Sequence, residues 1–170
     1  MLNRSNMPIE EEERYFDSDF RASCEYYTQN YRAVNLLHYH NCLELGRCFD
    51  GSGVQFMGGE VYSFNASSVS IVKKGCIHDS HIIMLDSGEK PSEWKYIFVD
   101  LDALGIPCTM DRSFVSGDKE LLFLYDLLFN ELEMHPAGWQ EQFCLLLPAF
   151  LRIAQRLEPN TRPMRHTALA

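Results

Sequence analysis

The stretch HYHNCLELGRCFDG, residues 38–51, decides the fold of this chain, because it puts three potential metal ligands on one extended segment. His38, His40 and Glu44 are separated by even numbers of residues, and the side chains of a strand alternate between its two faces. These three side chains are therefore predicted to share a face. A fourth candidate, His78, ends the segment KGCIH, which follows a short predicted strand at residues 69–72. Three histidines and one glutamate from two strands are a donor set suited to Zn, Mn, Ni or Fe.

The spacing of these residues resembles the two motifs of the cupin superfamily, which are small β-barrels. The first motif, HxH-x3-E-x6-G, matches at every defining position from His38 to Gly51. The second motif matches at Gly75 and His78, whereas Lys74 stands where the family usually has proline. The resemblance implies that the polar face of the first motif lines the interior of a barrel.

A longer series of segments is similar to the N-terminal effector-sensing domain of AraC-type transcription regulators. The similarity runs over about residues 30–157 and is carried in order by EL at 44–45, DGSG at 50–53, GEVY at 59–62, the pair Gly75 and His78, and WKYIFVD at 94–100. It implies a mainly β fold with α: a cupin-like double-stranded β-barrel (jelly roll) followed by a C-terminal antiparallel helix pair. It also implies a ligand-sensing and dimerisation module that controls an attached helix-turn-helix domain.

Composition limits the function of the chain. It has 170 residues and a net charge of −9, with no basic face that could neutralise DNA phosphates. We therefore expect DNA as a partner only through a C-terminal domain that this chain lacks. Six scattered cysteines without a CxxC pair favour reduced thiols, and the polar start carries no signal core. These features predict a cytoplasmic protein with no membrane partner.

The periodicity of the chain changes along its length and predicts four parts. Residues 1–19 are an acidic N-terminal arm, residues 20–110 are the sensing barrel, residues 116–157 are a helical hairpin and residues 158–170 are a linker. Turn signals between short β-branched runs predict the barrel strands, and apolar residues at helical spacing predict the hairpin.

The helical hairpin is predicted to form a homodimer, as it often does in AraC-type sensing domains. From Trp139 to Leu157 the apolar residues follow a four-three rhythm that defines a seam, and Pro148 within it is expected to kink or locally open the helix. The predicted dimerisation residues are Leu128, Leu132, Trp139, Phe143, Leu146, Phe150 and Ile153. The alternative is that both helices only cover the barrel, and the two roles are compatible.

Two interpretations of the interior site stay open. His38, His40, Glu44 and His78 either hold a divalent metal or form hydrogen bonds with a small effector, and no other cofactor is expected. Trp94 and Tyr96 share one strand face and could bind the effector by stacking, although such a stripe is more often core. The favoured function is a non-catalytic regulatory module. The alternative is a small metal-dependent cupin enzyme, a dioxygenase or isomerase.

Overall fold

Residues 9–16, 19–29, 37–82 and 91–164 are described in this computed structural model. The outer parts of the predicted arm and linker, residues 1–8 and 165–170, lie outside the described residues. No helix in the described ranges is both long enough and apolar enough to cross a membrane.

The strands form two five-stranded sheets. The strand bounds are β1 Glu10–Glu12, β2 Ala22–Gln29, β3 His38–His40, β4 Leu43–Asp50, β5 Ser52–Met57, β6 Glu60–Asn65, β7 Ser68–Val72, β8 His78–Ile82, β9 Ser92–Val99 and β10 Phe114–Ser116. Sheet I has the order β1-β3-β8-β5-β6 and sheet II the order β10-β7-β4-β9-β2; all pairs are antiparallel except β1 with β3. The predicted cupin-like fold is confirmed in this two-sheet form.

The two faces of sheet II pack against different parts of the protein. The side chains of β4, its central strand, point alternately to one face and to the other. Glu44 and Cys48 pair with Phe98 and Trp94 of β9, and Trp94 meets Phe64 of sheet I at a ring distance of 4.8 Å. This face therefore looks toward sheet I and lines the interior. The alternate residues of β4 lie under the helices instead, as strand alternation requires.

The helices cover the outer face of sheet II. A short helix α1 spans Leu101–Leu104, and the predicted hairpin is formed by α2, Lys119–Met134, and α3, Trp139–Leu157. Asp118 caps α2 by accepting hydrogen bonds from the backbone N–H groups of residues 120 and 121. The hydroxyl of Tyr125 donates to the backbone oxygen of Lys95, which fixes α2 on β9. α3 runs continuously through Pro148.

Sheet II extends further along the chain than residue 110, where the sequence places the end of the sensing barrel. β10 pairs with β7, so sheet II includes residues 114–116. After α3, a 3-10 turn, Glu158–Asn160, leads into a segment whose residue Met164 donates its backbone N–H to the backbone oxygen of Val61. The first residues of the predicted linker thus pack on the edge of sheet I.

Candidate functional site

The four predicted ligand residues lie together between the sheets. Atoms able to bind a metal on His38, His40, Glu44 and His78 all lie within 4.8 Å of one another. His38 and His78 are direct partners in the β3–β8 pair, while Glu44 reaches them from β4 in the opposite sheet. Nε2 of His40 is 2.8 Å and Nε2 of His78 is 3.2 Å from Oε2 of Glu44. The sequence therefore predicted this juxtaposition correctly.

Backbone carbonyls orient two of the imidazole rings. Nδ1 of His40 is 3.0 Å from the backbone oxygen of Glu12, and Nδ1 of His78 is 2.9 Å from that of Cys76. Carbonyl oxygens only accept, so we infer that each Nδ1 carries a proton. In the neutral tautomer each Nε2 is then a bare lone pair that faces the Glu44 carboxylate. Two lone pairs and a carboxylate oxygen at hydrogen-bond distance require a cation between them, either a proton on a histidine or a metal ion.

The electrostatics of the cluster agree with this requirement. Burial raises the pKa of Glu44, but the charge of His78 and the hydrogen bonds with His40 and His78 outweigh it and hold that pKa well below its usual range. Burial lowers the pKa of His78, and Glu44 more than offsets this, so the pKa of His78 lies above its ordinary value. The anion and the positive charge therefore stabilise each other inside the barrel.

The donor set fits a divalent metal ion. Atoms about 2.1 Å from one ion are at most about 4.2 Å apart, so a small inward movement of the four side chains is enough. A histidine that binds a metal through one nitrogen usually donates its other N–H to a carbonyl or carboxylate. His40 and His78 already have this second contact.

The N-terminal arm contributes to the site, which the sequence did not predict residue by residue. β1 pairs in parallel with β3 and brings Glu12 opposite His40. Beyond it, the guanidinium of Arg14 lies 3.8 Å from the ring centroid of Phe98 and contacts Glu25. Phe98 is itself 5.3 Å from the ring of His40. No spacing pattern in the sequence links an arm residue to a strand so far along the chain.

The predicted aromatic residues form a ladder on the same face. Trp94 stacks on Tyr96 with a centroid distance of 5.6 Å, and Tyr96 stacks on Phe98 at 6.1 Å. Trp94 is fully buried and its Nε1 donates to Ser92, so it has the surroundings of a core residue. Burial also raises the pKa of Tyr96 well above its usual value. Contact of Trp94 or Tyr96 with an effector stays a prediction.

Two further polar residues face the interior. Gln55 of β5 and Tyr62 of β6 are paired in the ladder, and both side chains are buried. β5 carries apolar residues on both of its faces, Val54 and Phe56 on one and Met57 on the other, so alternation in the sequence does not indicate whether Gln55 faces the interior.

The predicted dimerisation residues divide into two groups. Leu128, Leu132, Phe143 and Phe150 are buried in the core of the single chain, where they cover sheet II and the other helix. Trp139, Leu146 and Ile153 are partly buried. The first group is therefore not available to a second copy. Large exposed apolar side chains stand elsewhere on the hairpin, at Phe123 and Leu145.

The similarity of this chain to particular known proteins was found in the structure and not in the sequence. No known protein family matches the sequence, and no curated protein matches it significantly. A structure of ToxT from Vibrio cholerae, an AraC-family regulator, matches with a TM-score of 0.56 and 10% identity over 87% of this chain and 61% of that one. ToxT bound to an unsaturated fatty acid gives a TM-score of 0.54 with 12% identity, covering 83% of this chain and 56% of ToxT.

A third ToxT structure, bound to (E)-4-(8-methylnaphthalen-1-yl)but-3-enoic acid, has a TM-score of 0.55, 11% identity and coverage of 81% and 58%. This chain thus spans about three fifths of the length of the ToxT chains. At these identities the likeness concerns the fold. The chain shares the fold of the matched part of these AraC-family regulators, which agrees with the resemblance seen in its sequence.

Proposed function

We propose that this chain is the ligand-sensing and dimerisation module of an AraC-type transcription regulator. In this proposal a small effector binds between the two sheets, and an attached helix-turn-helix domain makes the DNA contacts. The observation that carries the proposal is the buried cluster of His40, Glu44 and His78, all 3% exposed or less. Burying ionisable groups is costly unless a partner compensates, so such clusters concentrate at functional sites.

A carboxylic acid is the first effector class to test. Two of the ToxT structures are bound to acids, and the same class suits this chain because Arg14 supplies a positive charge beside Phe98 at the edge of the interior. Glu44 disfavours a carboxylate deep in the cluster. The acid group would therefore lie toward Arg14 and the apolar part along the aromatic ladder.

Thermal unfolding with a panel of unsaturated long-chain fatty acids and aryl butenoic acids tests this proposal. We expect at least one acid to raise the unfolding midpoint in a saturable way, because a ligand that binds only the native state stabilises it. His40→Ala should lose most of the shift. Tyr39→Phe, on the opposite face of the same strand, is the control and should keep it. A panel without any saturable shift, or one whose shift His40→Ala leaves intact, would contradict the interior site.

A metal-dependent cupin enzyme is the second candidate, and the Nε2 atoms of His40 and His78 that both face the Glu44 carboxylate favour it. His38, His40, Glu44 and His78 would hold Zn, Mn, Ni or Fe. A bound ion would supply Lewis-acid polarisation of a substrate oxygen, as a dioxygenase or isomerase requires. Elemental analysis after growth with these metals should find about one equivalent per chain, and His40→Ala should lose most of it. Protein that stays metal-free after incubation with each of the four ions would exclude this candidate.

Dimerisation is proposed through the outer faces of α2 and α3. Phe123 is 64% exposed and Leu145 is 71% exposed, and exposed large apolar side chains on neighbouring helices are typical of interfaces. Leu146 and Ile153 lie one and eight positions beyond Leu145 and are partly buried. They would complete the contact at the edge of the core.

Sedimentation velocity at micromolar concentration tests the dimer. The parent chain should sediment as a dimer, and Leu145→Arg should sediment as a monomer because the charge cannot be buried at the interface. Gln155→Arg adds the same charge at another exposed position of α3 and should leave the dimer intact. A monomeric parent would refute the interface.

A further inference from the structure

Gln55 and Tyr62 occupy the interior face of sheet I next to the histidine cluster. They face each other in the β5–β6 ladder, and their neighbours on that face are Met57, which pairs with His78, and Phe64, which contacts Trp94. Gln55 is 0% exposed and Tyr62 is 2% exposed. The carboxamide nitrogen and oxygen of Gln55 and the hydroxyl of Tyr62 are buried without a hydrogen-bond partner among the described residues.

Three unpartnered polar atoms in a barrel interior are unfavourable, because each has lost water without a replacement. The same face accepts apolar residues of similar size at Met57 and Phe64, so packing alone does not require an amide or a phenol at these positions. The two polar groups therefore indicate a partner that binds between the sheets.

This second polar position is continuous with the cluster. Gln55 pairs with Ser80, two residues along β8 from His78, and diagonal neighbours across adjacent strands are roughly 7 Å apart. We propose that Gln55 and Tyr62 form a second polar end of the interior site, which takes an uncharged group of the ligand with an adjacent hydrogen-bond donor and acceptor, such as a lactam or carboxamide. This inference rests on the proposed effector site, to which it adds the chemistry of the ligand's uncharged end.

The class of the ligand follows from what the two side chains offer. A carboxamide presents a donor and an acceptor side by side, and it pairs best with another group that does the same. Neither Gln55 nor Tyr62 carries a charge at neutral pH, since burial raises the pKa of the Tyr62 hydroxyl. An anion would meet no full positive charge from this pair. A neutral amide-like edge satisfies all three atoms without burying a new charge.

Two small probes that differ in a single N–H group test the proposal. Nitrogen-15 NMR of the whole chain observes the side-chain NH₂ of Gln55, which is assigned by its disappearance in Gln55→Met. Titration with 2-pyrrolidinone should shift this resonance in a saturable way. Cyclopentanone has the same ring and carbonyl but no N–H, and should bind roughly fivefold to tenfold more weakly, the effect of one neutral hydrogen bond. Tyr62→Phe should weaken 2-pyrrolidinone binding by a similar factor.

The variants also separate a ligand group from a structural one. Gln55→Met should abolish the 2-pyrrolidinone shifts of neighbouring backbone amides and raise the thermal midpoint, because an unsatisfied amide is replaced by an apolar side chain. Gln142→Met, at an exposed position of α3, should change neither. Should Gln55→Met not fold, Tyr62→Phe and the cyclopentanone comparison decide.

Equal affinity for both probes, or no shift of the Gln55 resonance with either, would overturn the proposal. Cross-peaks to a long-lived water in place of a probe shift would identify a structural water as the partner and would overturn it as well. If the proposal for Gln55 and Tyr62 fails, the proposed effector site is still supported as long as stabilisation by the acid depends on His40.

Discussion

Gly46 lies at the centre of sheet II, where a side chain has no room, and Gly46→Ala should therefore destabilise the fold. A Cβ built at this position would be 2.5 Å from Oγ of Ser70 and 2.7 Å from Cε1 of Tyr96. Both neighbours belong to strands paired with β4, and the Tyr96 ring is stacked between Trp94 and Phe98, so relieving the contact requires this row of rings to shift. Overpacking of this kind costs about 1–3 kcal/mol. The lower chain entropy of alanine in the unfolded state offsets about 0.4–1 kcal/mol of this, which leaves a net loss of about 1–2 kcal/mol.

Urea unfolding followed by tryptophan fluorescence measures the effect, because the fully buried Trp94 stacks directly on the displaced Tyr96. Gly117→Ala is the matched control. Its Cβ would meet nothing closer than the backbone oxygen of Ser67 at 3.4 Å, so we expect little change or a slight gain in stability. A Gly46→Ala variant as stable as Gly117→Ala would contradict the close packing of Ser70 and Tyr96 against this face of β4.

Two further predictions concern the helix contact and the thiols. Tyr125→Phe removes the buried hydrogen bond to the backbone oxygen of Lys95 and should lower the free energy of unfolding by about 0.5–1.5 kcal/mol; an unchanged urea midpoint would contradict that bond. In native protein at pH 8, Cys108 should react first with Ellman's reagent because it is exposed. Cys42 and Cys48 should react only on unfolding, since burial raises the pKa of each to about 12; their early modification, read by mass spectrometry, would show that the interior is open.

The sequence predicted the fold where one pattern sufficed. Even spacing alone places His38, His40 and Glu44 on a single strand face, and the four-three rhythm from Trp139 marks a helix without a competing pattern. The boundary of the barrel was harder to predict. β10 has only three residues, and it belongs to sheet II through its pairing with β7, a long-range contact that local pattern does not encode.

What covers the apolar seam of α3 could not be predicted from the sequence either. A seam of large apolar residues predicts that one face of a helix is covered, but it does not say whether the same chain or a second copy covers it. In the structure Phe143 and Phe150 are covered by the chain itself, and Phe20 packs on Phe143 at 5.6 Å. The exposed apolar surface of α3 is instead at Leu145, which lies off the seam.

The surroundings of the ligand residues could not be predicted for a further reason. Arg14 and Phe98 are 84 positions apart, and Gln55 lies on a strand whose two faces are similarly apolar. A lone arginine or glutamine in such positions has no spacing relation to the HxH pair. Their placement follows from the order of strands in each sheet, which only the complete fold determines.

The elements around the site differ greatly in how many buried contacts fix them to the rest of the fold. This difference determines which of them a bound ion or ligand could move. The helix pair is fixed by buried residues such as Leu121 and Phe143, both 0% exposed, so moving it would disrupt the core. β1 has only three residues, all exposed, and pairs with a single strand. It also contacts the site directly, because the backbone oxygen of Glu12 meets Nδ1 of His40. A rotation of the His40 ring would break this contact without disturbing the buried residues of the helix pair. If the site binds a cation or ligand that rotates this ring, we therefore expect the arm to respond before the helices.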